Sequence, residues 1–210
     1  MANRIITIAR SYGSGGRSIG KMLAERMEIP YYDRNLIYIA SQRSGMDLKS
    51  LLENDEDIKH SAFSGIPSEN KKYVSKDDLF NCQADIIRDV SKRSDCVIIG
   101  RCADYLLKNS GHKLIRVFIW ADEDYCIRSV MEKFSISRQE ASKTIKQINK
   151  HRYDYYKYHT GANWDCAKNY DLCFDSSTLT YEQIIRSIQG YAEIMDKRGV
   201  SLSSVGYADI

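Results

Sequence analysis

Residues Gly13, Ser14, Gly15, Gly16, Arg17 and Ser18 follow the apolar or β-tolerant run Ile5 to Ala9. They precede Ile19, Met22, Leu23 and Met27, which recur at helical spacing. Strand, glycine turn and helix in that order make an anion cradle. The glycines let backbone N–H groups converge, and the helix N-terminus adds positive potential. Arg17 and Ser18 fall in the first helical turn, where a cation and a hydroxyl would face the anion. The alternative is the same tight turn with no ligand, which glycines also permit. Against the phosphate-loop pattern G-x-x-x-x-G-K-[ST], with Gly15 as the second glycine, Arg10 replaces the first glycine and Gly16 replaces the lysine. Arg17 is the nearest substitute. It lies one residue on, turned by about 100° on a helix, but its long stem and planar fork suit phosphate oxygens.

Further residues carry the right chemistry. Arg101 follows Gly100 at the end of an apolar run and can clamp a phosphate or cap carbonyls. Asp33 follows Tyr31-Tyr32 and either caps the next helix, holds Mg²⁺ waters or orients an acceptor phosphate. Arg128, Arg138, Lys143, Lys146, Lys150 and Arg152 crowd one helical region, with Lys143, Lys146 and Lys150 able to share a face. Such a cluster is a solvated face or, beside a phosphate loop, a lid whose cations close over phosphates.

The elements that position these residues alternate. Strands are expected at Ile5–Ala9, Tyr31–Tyr32, Asp95–Gly100, Lys113–Trp120 and Tyr170–Phe174, with helices between them. Expected helix caps are Asp33, Asp122 and Thr180. Strands too apolar to alternate are buried on both faces, which predicts an α/β fold with a parallel sheet, right-handed crossovers and helices on both sides. Ligands then bind at the carboxyl ends of the strands, where Gly13, Gly15, Gly100 and Arg101 converge. Residues 44–76 are irregular and acidic, then polar, and read as an insertion within a single domain spanning 1–210. The tail from Gly199 reads as frayed.

Composition bounds the rest. With 210 residues, 28% of them charged and 43% hydrophobic, the chain suits one globular domain. A net charge of +3 gives no general nucleic-acid or membrane surface. No apolar run approaches a membrane span, and the N-terminus enters a strand without a signal-peptide core. The six cysteines form no C-x-x-C pair and read as reduced thiols of a cytoplasmic protein.

With these pieces placed, the chain resembles the P-loop nucleoside-monophosphate kinases, above all the cytidylate-kinase-like branch. The resemblance runs from Ile5 to about Ser177. It rests on Ala9-Arg10-Ser11-Tyr12-Gly13-Ser14-Gly15-Gly16-Arg17-Ser18, on Tyr31-Tyr32-Asp33, on Ile99-Gly100-Arg101-Cys102-Ala103-Asp104-Tyr105, and on Asn149-Lys150-His151-Arg152 with the tyrosines, Trp164 and Tyr170-Asp171-Leu172 that follow. It implies a three-layer P-loop kinase fold with an acceptor-binding insertion (44–76) and a lid (134–158). It also implies transfer of the γ-phosphoryl group of ATP, with Mg²⁺, to CMP or dCMP. Within that resemblance Gly13 to Ser18 hold the donor and Ser18 ligates Mg²⁺. Arg17, Arg101, Lys150 and Arg152 supply catalytic charge, and Asp33, Arg101 and Asp104 meet the acceptor. Three departures stand out. Gly16 replaces the lysine, Ile39 replaces an acceptor-reading arginine, and Lys146 and Asn149 replace lid aspartates. The expected activity is a small-molecule kinase, monomeric or homodimeric. The alternatives are a catalytically weak nucleotide-binding regulator and a kinase of a non-nucleotide acceptor.

Overall fold

In the computed structural model, residues 2–33, 35–45 and 76–197 are described. Five parallel strands form one sheet in the order β2-β3-β1-β4-β5. They are β1 (Arg4–Arg10), β2 (Tyr31–Tyr32), β3 (Cys96–Ile99), β4 (Lys113–Trp120) and β5 (Leu172–Asp175). The central strand β1 pairs with β3 from Ile5–Cys96 to Ile8–Ile99 and with β4 from Arg4–Lys113 to Arg10–Ile119. The helices are α1 (Gly16–Arg26), α2 (Asn35–Ser44), α3 (Lys76–Arg93), the single turn α4 (Ala103–Leu106), α5 (Glu123–Phe134), α6 (Arg138–Thr160) and α7 (Tyr181–Lys197).

The period of two along β1 divides the core. Ile6 and Ile8 join Val97, Ile99, Val117 and Ile119 beneath Ile19 and Leu23 of α1 and Ile184, Ile185 and Ile188 of α7. Ile5, on the other face, packs with Cys96 and Ile98 against Leu36 and Ile37 of α2 and Ile86, Ile87 and Val90 of α3. Further along that face, Ala9 and Phe118 meet Tyr156, Trp164 and Tyr170. Both sheet faces are therefore covered, as the unbroken apolar strands require.

Most expected elements form with bounds close to those expected. The insertion at 44–76 and the tail from Gly199 lie almost wholly outside the described residues. The basic stretch 134–158 is mainly α6, one continuous helix opened by a capping box between Ser137 and Glu140. Its first half packs Ala141 and Ile145 on Cys126, Ile127 and Val130 of α5. Its second half buries Arg152 and Tyr156. Thr180 caps α7 as expected, exchanging hydrogen bonds with Gln183. Asp122 precedes α5 without a side-chain cap. Among the described residues the Asp33 carboxylate pairs with Arg17, and no side-chain hydrogen bond from it to α2 is seen.

Candidate active site

The chain between β1 and α1 is pinned from below. The Ser11 amide donates to the Ile119 carbonyl at 2.9 Å. The Ser14 hydroxyl lies 2.9 Å from the Ser11 carbonyl and 3.1 Å from that of Ile119, and the Ser176 hydroxyl donates to the Ser14 carbonyl at 2.6 Å. Ser14 is thus fully buried, and its hydroxyl is spent on the carbonyls of Ser11 in the loop and Ile119 in β4. Tyr12 gives its amide to the Asn149 side chain at 2.8 Å. The amides of Gly13, Gly15, Gly16 and Ser18 find no acceptor among the described residues. Those at the start of α1 are the donors that any helix leaves open.

Three glycines are required by geometry. Gly13 and Gly15 have φ of +89° and +77°. A Cβ at Gly13 would lie 2.8 Å from the Cys126 carbonyl oxygen, and one at Gly16 would lie 2.6 Å from the Arg10 Cβ. The phenol of Tyr181 occupies the space that a Gly15 side chain would need. The result is a cavity of about 130 Å³ lined by Gly13, Gly15, Gly16, Arg17 and Ser18, with Lys133 and Phe134 of α5, Arg152 of α6 and Tyr181 of α7 on its walls.

The charged side chains divide among several places. Arg17 turns toward the end of β2, where its Nε lies 2.6 Å from the Asp33 carboxylate as an ion pair and one terminal nitrogen donates to it at 3.2 Å. The Tyr31 hydroxyl lies 3.4 Å from the same carboxylate, and burial first, then Asp33, pushes its pKa up. Arg101 is fully buried at the end of β3. Burial lowers its pKa to about 10, Tyr155 and Asp33 raise it, and Arg10 and Arg17 lower it further. Gly100, Arg101 and Cys102 all have positive φ, at +66°, +59° and +53°. The single turn α4 therefore begins only at Ala103. Two non-glycine residues in this conformation are a local cost of the kind that gathers at functional sites. Arg152 donates to the Arg10 carbonyl at 2.8 Å, and its guanidinium sits 5.6 Å from the Tyr12 ring centre.

Arg101 and Asp33 do not line this cavity, and Lys150 and Asp104 stand apart from it altogether. Lys150 is exposed, pairs with Asp154 at 2.7 Å, and faces a different cleft beside Trp120, Tyr153 and Trp164. Two residues along a helix turn the side chain by about 200°, so Lys150 and Arg152 cannot share a wall. Asp104 is buried and accepts the Tyr156 hydroxyl at 2.6 Å. Its pKa is raised by burial, against the lowering effect of that hydrogen bond.

Asp104 therefore supports a stability prediction. A carboxyl whose folded pKa is raised favours the folded state while protonated, and that benefit is lost as pH rises from the unfolded value through the folded one. Asp104→Asn keeps an acceptor for Tyr156 and removes the titration. It is expected to hold or raise stability at pH 7 and to flatten the acid side of the pH–stability curve. Asp104→Ala strands a buried hydroxyl and is expected to cost about 1–3 kcal/mol in urea unfolding.

Lys133 and Tyr181 are wall residues that the motif reading did not reach, while Phe134 opens the expected lid. The spacing Ser129, Val130, Lys133 and Phe134 marks one side of α5 and is the signal in the sequence, once α5 is known to lie over the loop.

A parallel five-strand sheet with a glycine loop after its central strand and helices on both faces is a P-loop kinase fold. The chain belongs to the cytidylate kinase-like family, whose model matches residues 5–178. Among solved structures it is similar to an uncharacterized protein from Eubacterium ventriosum ATCC 27560, with a TM-score of 0.70, 25% identity and coverage of 91% of this chain and 99% of that one. The shikimate kinase of Bacteroides thetaiotaomicron superposes with a TM-score of 0.55 at 15% identity, covering 92% and 99%. A gluconokinase from Sinorhizobium meliloti 1021 does so with 0.53 at 15%, covering 94% and 96%. These last two share the fold. No curated protein matches the sequence. Among the described residues no helix is long and apolar enough to cross a membrane.

Proposed function

We propose that the chain transfers the γ-phosphoryl group of ATP to a small acceptor, with a nucleoside monophosphate such as CMP or dCMP as the first candidate. The observation that carries this reading is the loop itself. Four open amides and Arg152 surround a cavity at the carboxyl end of the central strand. Phosphoryl transfer asks little covalent chemistry of a protein; positioning and charge neutralisation do most of it. Gly13, Gly15, Gly16 and Ser18 hold the donor phosphates, and Arg152 stands against them. The Ser18 hydroxyl offers one hard oxygen for Mg²⁺, the remaining ligands coming from phosphate and water as that ion prefers. Bound there, Mg²⁺ offsets charge on the phosphate oxygens. Arg101 and the Arg17–Asp33 pair face the acceptor side. Lys150 and Asp104 are left out of the assignment because Lys150 faces a different cleft and Asp104 is buried against Tyr156. Free cysteines suit the reducing compartment in which ATP-dependent chemistry runs.

Cytosine recognition has weaker support. Ile39, at the position of an acceptor-reading arginine in cytidylate kinases, is half-buried against the core cluster of α2 and α3. A regulator that binds nucleotide with little turnover is the second reading. It is favoured by Gly16 at the lysine position and by Arg17 engaged with Asp33.

One experiment separates these readings. MgATP is incubated with a panel of nucleoside monophosphates and small hydroxylated acids, shikimate and gluconate among them, and ADP release is followed. The expected result is turnover with at least one nucleoside monophosphate. MgATP alone should raise the melting temperature, since ligand at about 100 times its Kd adds about 2.7 kcal/mol. A shift without turnover supports the regulator. No shift at millimolar MgATP removes both readings.

A further inference from the structure

We propose that Lys133 of α5, and not Arg17, delivers to the donor phosphates the positive charge that a lysine supplies at the position of Gly16. The inference rests on the reading that the loop holds a nucleotide's phosphates. Each of the other cations near the loop, Arg10 of the cavity lining included, is already engaged. Arg17 forms an ion pair with Asp33 and donates one hydrogen bond to it. Arg152 donates to the Arg10 carbonyl and lies against Tyr12. Lys21, the next cation along α1, is two-thirds exposed, lies within 3.7 Å of Glu25 and does not reach the cavity. Lys133 lines the cavity, and among the described residues its ammonium makes no ion pair or hydrogen bond. It rests 5.5 Å from the Phe134 ring centre.

The scaffold makes this placement dependable. The backbone of α5 at Cys126 comes so close to Gly13 that no Cβ fits between them. The Lys133 Cα is therefore fixed against the loop, while its flexible four-carbon stem lets the ammonium follow a phosphate. The last turn of a helix also favours a cation. Moving Arg17 to the phosphates would break a charge-assisted ion pair and leave a mostly buried carboxylate behind. Moving Lys133 breaks nothing except a weak ring contact.

Binding of MgATP, MgADP and adenosine is measured by titration calorimetry for the parent, Lys133→Ala, Lys133→Arg and Lys21→Ala. Lys133 is exposed, so melting temperatures should match. For Lys133→Ala, MgATP affinity is expected to fall roughly ten- to hundredfold, the loss of one hydrogen-bonded charge. MgADP should fall less and adenosine not at all. Lys133→Arg should recover most of the loss, and Lys21→Ala should bind like the parent. Unchanged MgATP binding by Lys133→Ala overturns the assignment of Lys133 while the nucleotide reading stands. No MgATP binding by the parent overturns both.

Discussion

Gly13→Ala is expected to abolish the thermal shift by MgATP and to lower the melting temperature by several degrees or more. Two costs add at this position. The φ of +89° is one that L-residues avoid, at about 1–2 kcal/mol. The new Cβ would also lie 2.8–2.9 Å from backbone and Cβ atoms of Cys126, which cannot swing aside as a side-chain tip can. Overpacking of this kind costs about 1–3 kcal/mol. The only relief is to part the loop from α5, which moves the Gly13 amide off the cavity and carries Lys133 away with its helix. Gly161→Ala is the matched control. Its φ is +71°, but nothing lies within 4 Å of its Cβ. It should pay the backbone cost alone and bind MgATP like the parent. Equal MgATP shifts for Gly13→Ala and the parent would mean that the loop does not hold the phosphates.

The contrast between those glycines shows what could be read from residues alone. The glycine run between an apolar strand and a helical repeat is a local signal, and so is the strand Lys113–Trp120, which forms with the bounds its composition suggests. Ser137 with Glu140 and Thr180 with Gln183 announce helix starts, because capping acts within four residues. The destination of a long side chain is set by tertiary packing. The first turn of α1 places Arg17 beside the cavity, but its ion pair with Asp33 depends on the pairing of β2 with β3, which brings that carboxylate alongside. Asp104 shares a motif with Arg101, but the left-handed turn through Gly100, Arg101 and Cys102 precedes α4, and Asp104 ends beneath Tyr156. Lys133 carries no motif. Its relevance appears only when α5, which follows the strand beside β1, lies across the loop.

Arg101→Ala is expected to lower turnover about a thousandfold or more, judged from what a single arginine supplies in phosphoryl transfer, while MgATP affinity changes little. Arg101 is fully buried and held by a left-handed backbone, so its guanidinium cannot leave with solvent or with an opening loop. Arg10 and Arg17 are close enough to depress its pKa, and Asp33 is close enough to raise it. Concentrated positive charge at the end of β3 suits a group whose negative charge is redistributed during transfer, and contacts made mainly in the transition state act on kcat more than on binding. Arg101→Met keeps the volume without the charge and should show the same kinetic loss with a smaller fall in melting temperature. Arg101→Lys gives the pH test. Burial lowers the pKa of the parent's guanidinium, but an arginine stays charged across the neutral range. Burial disfavours an ammonium in the same place and lowers its pKa from the ordinary lysine value. The charged fraction of Arg101→Lys, and with it the turnover, should therefore fall as pH rises through 7 to 9, while the parent stays flat over that window. If Arg101→Met keeps parental turnover, or if Arg101→Lys follows the parent's pH profile, the arginine only braces the turn after β3, and the charge on the transferring group comes from elsewhere.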